Sequence, residues 1–407
     1  LGALAMDFPQ TLWPLIFVFL VPIISYAHVH TVRTARDRYG LLFRMFVFGF
    51  VFAVLSTPWI ASTYPLTWLN IPDPVLGAVI VVFLWAGLAV ALALPIAPWV
   101  LVLGMAARQR PLVGALLGAT SWVLLEYARS WFVALSAYGE AVLFGPHHTY
   151  YSLAYVLSGV PIVRDLFAVG GMPLVTLLIV LVNFVAYRIS LSIRGRSMPP
   201  LEIVWLTIGV VGVVLVSSFW MSQIRRADPS REPFTVSVLN TRLPSSTDDS
   251  VADHKARVAL DLIRTITPSD GIVVVPENID VLNTFLVPGG DKGNPLSAFH
   301  LVVASQPDDH AHTMYFFEPG TKQGVRYEKQ LLMPIGEYSV SWVAFLVHAA
   351  GVQSWIDVYD YRVIQNGARK GAEIALYHDP VIPDAVFAGS ICAENISPYI
   401  FRDETRA

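Results

Sequence analysis

Up to about Ser222 the chain is a series of long apolar runs with short polar breaks. From about Glu232 onward the apolar stretches shorten to strand length and alternate with amphipathic segments. The runs Pro9–His28, Leu41–Ile60, Val75–Met105, Pro111–Ala128, Met172–Arg188 and Leu201–Met221 approach or exceed the roughly 20 residues that a helix needs to cross a bilayer. The third is long enough to tilt, or to break near Pro95 and Pro98, and Pro14 and Pro22 predict a kink in the first. Trp131–Gly171 is apolar but interrupted by Gly, Pro and His, so it reads as an interfacial or re-entrant excursion.

The second half predicts a layered α/β domain, because helical patterns fall between strand patterns. Phe234–Leu239 alternates as a strand, and Ser250–Thr265 has helical apolar spacing with Ser250 as its N-cap. Gly271–Pro276 is a continuous apolar run, as in a strand covered on both faces. His300–Ala304, Met314–Phe317 and Trp355–Val363 read as strands and Ser341–Ala350 as a helix; Ala385–Ile391 reads as a buried strand delivering Cys392. The polar stretch Arg225–Glu232 separates residues 1–225, a transmembrane domain of about six helices, from residues 232–407.

Composition supports the division. The 407 residues are 55% hydrophobic and only 14% charged, against about 25% in a soluble protein. Every lysine lies in the second half. The net charge of −3 gives no sign of nucleic-acid binding. Arg33, Arg36 and Arg38, then Arg108 and Arg110, then Arg188, Arg194 and Arg196 follow alternate spans, whereas Ala61–Pro74 has no cationic residue. The positive-inside rule puts the Arg-rich loops in the cytoplasm and the second half outside, with Arg225 and Arg226 running mildly against it. The chain starts at Leu1 and is expected to lack its true N-terminus.

Candidate chemistry gathers at the predicted strand ends. Cys392, the only cysteine, stands where apolar VFAGSI gives way to polar residues and Pro398, a place that suits a nucleophile although lone cysteines are more often buried packing residues. Glu277 follows the apolar strand in VVVPEN, and Lys329 and Glu337 lie eight apart in YEKQLLMPIGEY. A carboxylate base, an ammonium and a thiol meeting at one sheet edge would suit acyl transfer through a thioester. Each residue taken alone has a plainer role, as a turn cap, a solvated lysine or a surface acid. In the apolar half, Glu126 and Arg129 of SWVLLEYAR form either a functional pair or an i,i+3 interfacial cap. Tyr138, Glu140, His147, His148, Tyr150 and Tyr151 form a polar cluster better suited to interfacial anchoring than to metal binding.

VPEN at Glu277, Y-x-K-x-x-L-x-P-x-G-E-Y from Tyr327 to Tyr338 and G-x-I-C-x-E-x-x-x-P-x-x-x-R from Gly389 to Arg402 resemble the motif blocks of the nitrilase superfamily, specifically its membrane-bound branch, the apolipoprotein N-acyltransferases. SWVLLEYAR and DLFAVGGMPLVTLLIVLVN resemble membrane segments of the same family, the latter a Gly-rich turn into an Asn-ended span. The resemblance implies a multi-span α-helical membrane domain followed by an α/β nitrilase-like (α-β-β-α sandwich) domain, here incomplete at its C-terminus. It implies acyl transfer from a phospholipid donor, through a cysteine thioester, to the N-terminal amine of a diacylglyceryl lipoprotein acceptor at the lipid bilayer, with no cofactor, metal or nucleic acid. Glu277 matches the general base, Lys329 the catalytic lysine and Cys392 the nucleophile, with Glu337 and Glu394 as supporting acids. The expected location is the bacterial inner membrane with the catalytic domain on the periplasmic side. Two departures stand out: Ala393 occupies a position that is usually aromatic, and the chain ends at Ala407, fifteen residues past Cys392. Rival readings are a membrane-tethered amide hydrolase, a decayed scaffold and an accessory domain of a glycolipid synthase.

Overall fold

The computed structural model describes residues 1–29, 34–66, 71, 73–195, 201–226, 234–240, 249–266, 271–276, 279, 295–308, 311–319, 323–334, 337–349, 351–353, 356–357, 360, 368–382 and 384–406. By internal packing the chain divides into two units. The first is Leu1–Pro65, Asp73–Ser136 and Thr149–Arg231; the second is Leu66–Pro72, Ala137–His148 and Glu232–Ala407.

The first unit is helical: α1 Gly2–Asp7, α2 Pro9–Leu12, α3 Val21–Val29, α4 Ala35–Leu55, α5 Pro74–Ala93, α6 Trp99–Ala106, α7 Pro111–Ser136, α8 Pro161–Ile193 and α9 Leu201–Arg226. Among the described residues six segments are long and apolar enough to cross a membrane: Pro9–Val29, Ala35–Leu55, Pro74–Ala93, Pro111–Ser136, Pro161–Ile193 and Leu201–Ile224. Start and stop signals explain several bounds. Thr34 and Asp37 form a capping box before α4. Asp73 takes the N–H groups of Val75 and Leu76 before α5. The long third run breaks after α5, where Pro95 and Pro98 interrupt the helical ladder.

The first span is broken as well. A 3₁₀ turn at Trp13–Phe17 precedes α3. The backbone groups freed there are taken up by Asn183 of α8, which is fully buried. It accepts from Leu20 N at 2.9 Å and donates to Ile16 O and Ile179 O, each at 2.9 Å. A broken helix at membrane depth needs such a partner, because lipid offers none. Asn183 lies inside α8, ten residues before its end, rather than ending the span. Gly171, at φ 62°, kinks α8 just before Pro173; only glycine takes this backbone region without strain.

Two expectations for this unit are corrected. α7 continues to Ser136, so Trp131–Ser136 is helix and not the start of an excursion. Glu126 and Arg129 therefore lie well inside α7, both buried, and do not form an interfacial cap. Burial is tolerated because the Glu126 carboxylate accepts from Trp122 Nε1 (3.0 Å), Ser152 Oγ (2.8 Å), Leu153 N (3.1 Å) and Thr176 Oγ1 (3.1 Å). Arg129 stands 4.0 Å from the same carboxylate.

The second unit holds a five-stranded sheet in the order β1 Val236–Val238, β2 Ile272–Val275, β3 Leu301–Asp308, β4 Ala311–Glu318 and β5 Gln323–Glu328. β1, β2 and β3 run parallel; β3, β4 and β5 are antiparallel. The apolar run of β2 is buried on both faces, as its composition predicts. Val273 and Val275 pack with Ala259 and Ile263 of α10 (Asp249–Thr265). Ile272 packs on the other face with Leu301, Phe316 and Tyr377. A separate hairpin pairs β6 Leu376–His378 with β7 Val386–Ala388. The helices α11 Ser341–Ala349 and α12 Pro398–Glu404 complete the described elements.

Here too the sequence reading needs correction. β5 was not anticipated, and β3 and β4 are longer than predicted because the antiparallel ladder carries polar residues along with apolar ones. Ser250 lies inside α10 instead of capping it. The strand before Cys392 is only three residues long and largely exposed. Most of Trp355–Val363 falls outside the described residues, and Ile356 and Asp357 are helical rather than extended.

Candidate active site

Lys329 follows the last residue of β5. Its N–H donates to His312 O (2.8 Å) and its carbonyl accepts from Gly371 N (2.8 Å), so its backbone is fixed on both sides. Gly371 is required by close approach, since a Cβ there would overlap the Glu328 carbonyl. The Lys329 side chain is 0% exposed, which excludes the plain reading of a solvated lysine. Its Nζ donates to Glu337 Oε1 at 2.7 Å. Glu337 is held in turn: Oε2 accepts from Met333 N at 2.7 Å, and its carbonyl accepts from Ala368 N at 2.7 Å. The eight-residue spacing in sequence thus becomes a loop closed by a buried ion pair. His312 on β4 brings Nε2 to 3.4 Å from the same Glu337 oxygen.

Cys392 reaches the surface by a different device. At Gly389 the chain crosses so close to β4 and β5 that a Cβ would lie 2.9 Å from Tyr327 Cδ1 and 3.1 Å from Met314 Sδ. Ile391 is buried, whereas Cys392 is exposed, with φ 51°. A non-glycine residue in the left-handed region is uncommon and carries local strain, as at the sharp turns that present nucleophiles. Cys392 then opens a 3₁₀ turn, Cys392–Ile396.

Glu394, on that turn, is the link. It is 0% exposed. Its Oε1 accepts from Tyr327 OH (2.6 Å), Gln330 N (2.6 Å) and Leu331 N (3.2 Å), and its Oε2 from Ile391 N (2.7 Å). One carboxylate therefore ties the residue before Cys392 to the residue after Lys329. Burial pushes the Glu394 carboxyl above its usual range, opposed by the hydrogen bonds from Tyr327 and the backbone. Burial and the Glu394 charge likewise push the Tyr327 phenol up, which keeps it a donor.

Of the site residues read from sequence, Lys329 and Glu337 meet directly, and Glu394 connects their strand to the Cys392 turn. Glu277 lies outside the described residues; β2 ends at Val275, and Pro276 immediately precedes it. Sequence reasoning missed His312, Tyr327 and Ser397. Ser397 caps α12 through Ile400 N (3.3 Å) and bonds His147 Nδ1 (2.8 Å). The Ser-Pro pair before an apolar stretch is a readable cap signal; nothing in the sequence links it to His147. The polar cluster divides: Tyr138, Glu140, His147 and His148 belong to the second unit, and Tyr150 and Tyr151 to the first. Burial, with His147 beside it, lowers the pKa of His148 to about 4. Among the described residues no group of three or more His, Cys, Asp or Glu side chains is arranged to hold a metal ion.

Residues 2–185 match the family model of the apolipoprotein N-acyltransferase N-terminal domain. The match supports an apolipoprotein N-acyltransferase-like protein. No curated protein matches it. The match covers most of the helical unit and stops short of Lys329, Glu337 and Cys392. For an apolipoprotein N-acyltransferase-like protein the six spans have a clear use. The family implies lipid and lipoprotein substrates in a membrane environment, and the spans make this a multi-pass membrane protein.

Proposed function

We propose that the protein is an N-acyltransferase whose Cys392 takes a fatty acyl chain from a phospholipid and passes it to the N-terminal amine of a diacylglyceryl lipoprotein. The observation that carries this reading is the Glu394 clamp, which joins the turn bearing the exposed Cys392 to the strand end bearing the buried Lys329–Glu337 pair. A decayed scaffold would have no need of a strained thiol turn clamped to the strand end that bears a lysine sealed from water. A tethered hydrolase would have no need of a membrane half matching the acyltransferase family.

In the first step Glu277 takes the Cys392 proton. The thiolate attacks the ester carbonyl, and the C–S bond forms as the C–O bond breaks. The proton leaves with the lysophospholipid hydroxyl. In the second step the acceptor amine attacks the thioester carbonyl. The C–N bond forms, the C–S bond breaks and a proton returns to the thiol. In both steps the Lys329 ammonium stabilises the oxyanion, and Glu337 keeps that cation in place. Burial strengthens this interaction relative to water. On this reading the second unit stands on the external, periplasmic side of an inner membrane, a placement that the Arg-rich loops support through the positive-inside rule, and residues 232–407 are the nitrilase-like catalytic domain.

The test is acyl transfer to a diacylglyceryl peptide by full-length protein. Cys392→Ser abolishes transfer while membrane insertion stays intact, because a hydroxyl lacks the thiolate's nucleophilicity near neutral pH. Transfer at the wild-type rate by that variant would overturn the assignment.

A further inference from the structure

Several span ends of the first unit meet around a small cleft that plays no part in the proposed chemistry. His28 lies in the last turn of α3, Ala107 and Gln109 lie between α6 and α7, Tyr187 and Arg188 lie in the last turns of α8, and Ile203 lies in the first turn of α9. The cleft has a free volume of about 30 Å³ and is partly open.

Its chemistry is cationic. Arg188 Nε is sealed from solvent and has no hydrogen-bond partner among the described residues. The His28 ring packs 4.8 Å from that of Tyr187, and its Nδ1 lies 2.8 Å from Ile24 O. A carbonyl only accepts, so Nδ1 carries the hydrogen and Nε2 remains for another partner. Arg108 and Arg110 flank Gln109 in the same turn. The neighbouring acid, Glu202, is engaged by Leu112 N at 3.2 Å. A buried guanidinium N–H without an acceptor is costly, and a planar fork of donors fits phosphate oxygens. The ends of the flanking spans carry exposed apolar side chains, Ile193 and Leu201 among them.

We infer that this cleft takes the phosphate of an anionic phospholipid headgroup. Arg188 grips the phosphoryl oxygens, the only part the cleft admits, while the acyl chains lie outside along the apolar faces of α8 and α9. Basic pockets between helices at the membrane surface bind headgroups in this way.

The experiment is native mass spectrometry of the full-length protein in neutral detergent, titrated with phosphatidylglycerol, phosphatidylcholine or inorganic phosphate. Phosphatidylglycerol should bind at least about tenfold more tightly than phosphatidylcholine, because both offer a phosphate to Arg188 but the choline cation is repelled by the cluster of Arg188, Arg108 and Arg110. Arg188→Gln should weaken it about tenfold, whereas Arg194→Gln, outside the cleft, should leave it unchanged. Arg188→Lys keeps the charge but not the fork; a several-fold loss there supports the assignment even if Arg188→Gln folds poorly. Equal retention of phosphatidylglycerol by wild type and either Arg188 variant would overturn it. Inorganic phosphate displacing the lipid at matched concentration would overturn the lipid as the occupant and leave a free-anion site.

Discussion

Glu394→Gln alters one atom of the clamp and preserves its shape. In the native protein Oε1 serves three donors, Tyr327 OH, Gln330 N and Leu331 N, and Oε2 serves one, Ile391 N at 2.7 Å. A glutamine amide has a single acceptor oxygen. If that oxygen keeps the three donors, its NH₂ group faces the Ile391 N–H, donor against donor. One hydrogen bond to a charged group is lost, worth about 1.5–3 kcal/mol. Relief of the burial penalty on the carboxylate offsets part of this, so we expect a net cost of about 2 kcal/mol. If the cost falls on the local turn, the equilibrium constant for setting Cys392 correctly drops roughly 30-fold, and thioester formation slows by up to that factor. Glu394→Ala strands all four donors and costs at least about 4 kcal/mol, at about 1–3 kcal/mol per buried unsatisfied group. The assay is single-turnover acylation of Cys392 with hydrogen exchange at the Gln330, Leu331 and Ile391 amides. The glutamine variant should lose rate and amide protection together, and the alanine variant more of both. Wild-type acylation and protection in either variant would refute the clamp.

Lys329→Met should abolish acyl transfer and lower stability by about 1–3 kcal/mol, because it leaves the partly exposed Glu337 carboxylate with only Met333 N and His312 beside it; an unchanged melting temperature would contradict the ion pair. Asn183→Leu strands Leu20 N and Ile16 O at the break in the first span and should cost about 2–4 kcal/mol in detergent unfolding; wild-type stability would show that those groups find other partners. Burial and the nearby Glu394 raise the Glu404 carboxyl from 4.5 to about 7. The native state thus holds this proton more tightly than the unfolded chain does. That advantage is complete below about pH 4.5 and is lost as pH rises to about 7. Glu404→Gln should flatten the stability profile across that window by on the order of 1 kcal/mol, after discounting for partial exposure; a profile unchanged from wild type would show that Glu404 titrates normally.

The spans were legible because lipid imposes one simple demand, about 20 apolar residues, and because proline marks the breaks. β2 was legible for the same reason, a continuous apolar run. What local pattern cannot carry is satisfaction at a distance. Asn183 is an ordinary polar residue in an apolar run until the freed groups of Leu20 and Ile16 meet it. Glu126 and Arg129 read as a helix end because charges seldom sit inside a span, and only Ser152, Thr176 and the Leu153 amide show why they do. The strand before Cys392 was overestimated because every residue of VFAGSI is apolar or small; Gly389 ends it where the backbone must pass Tyr327. Motif spacing identified Lys329, Glu337 and Glu394 as residues to examine. It gave no hint that Glu394 holds the Cys392 turn to the end of β5, or that His312 shares the Glu337 carboxylate.

The central claim is that Cys392 carries the acyl chain. Intact-mass spectrometry of the membrane-extracted, full-length protein after incubation with phospholipid tests it most directly. The account predicts a mass gain of one acyl chain that hydroxylamine removes and that Cys392→Ser lacks. A folded protein that gains no adduct, or an adduct that survives in Cys392→Ser, would contradict it.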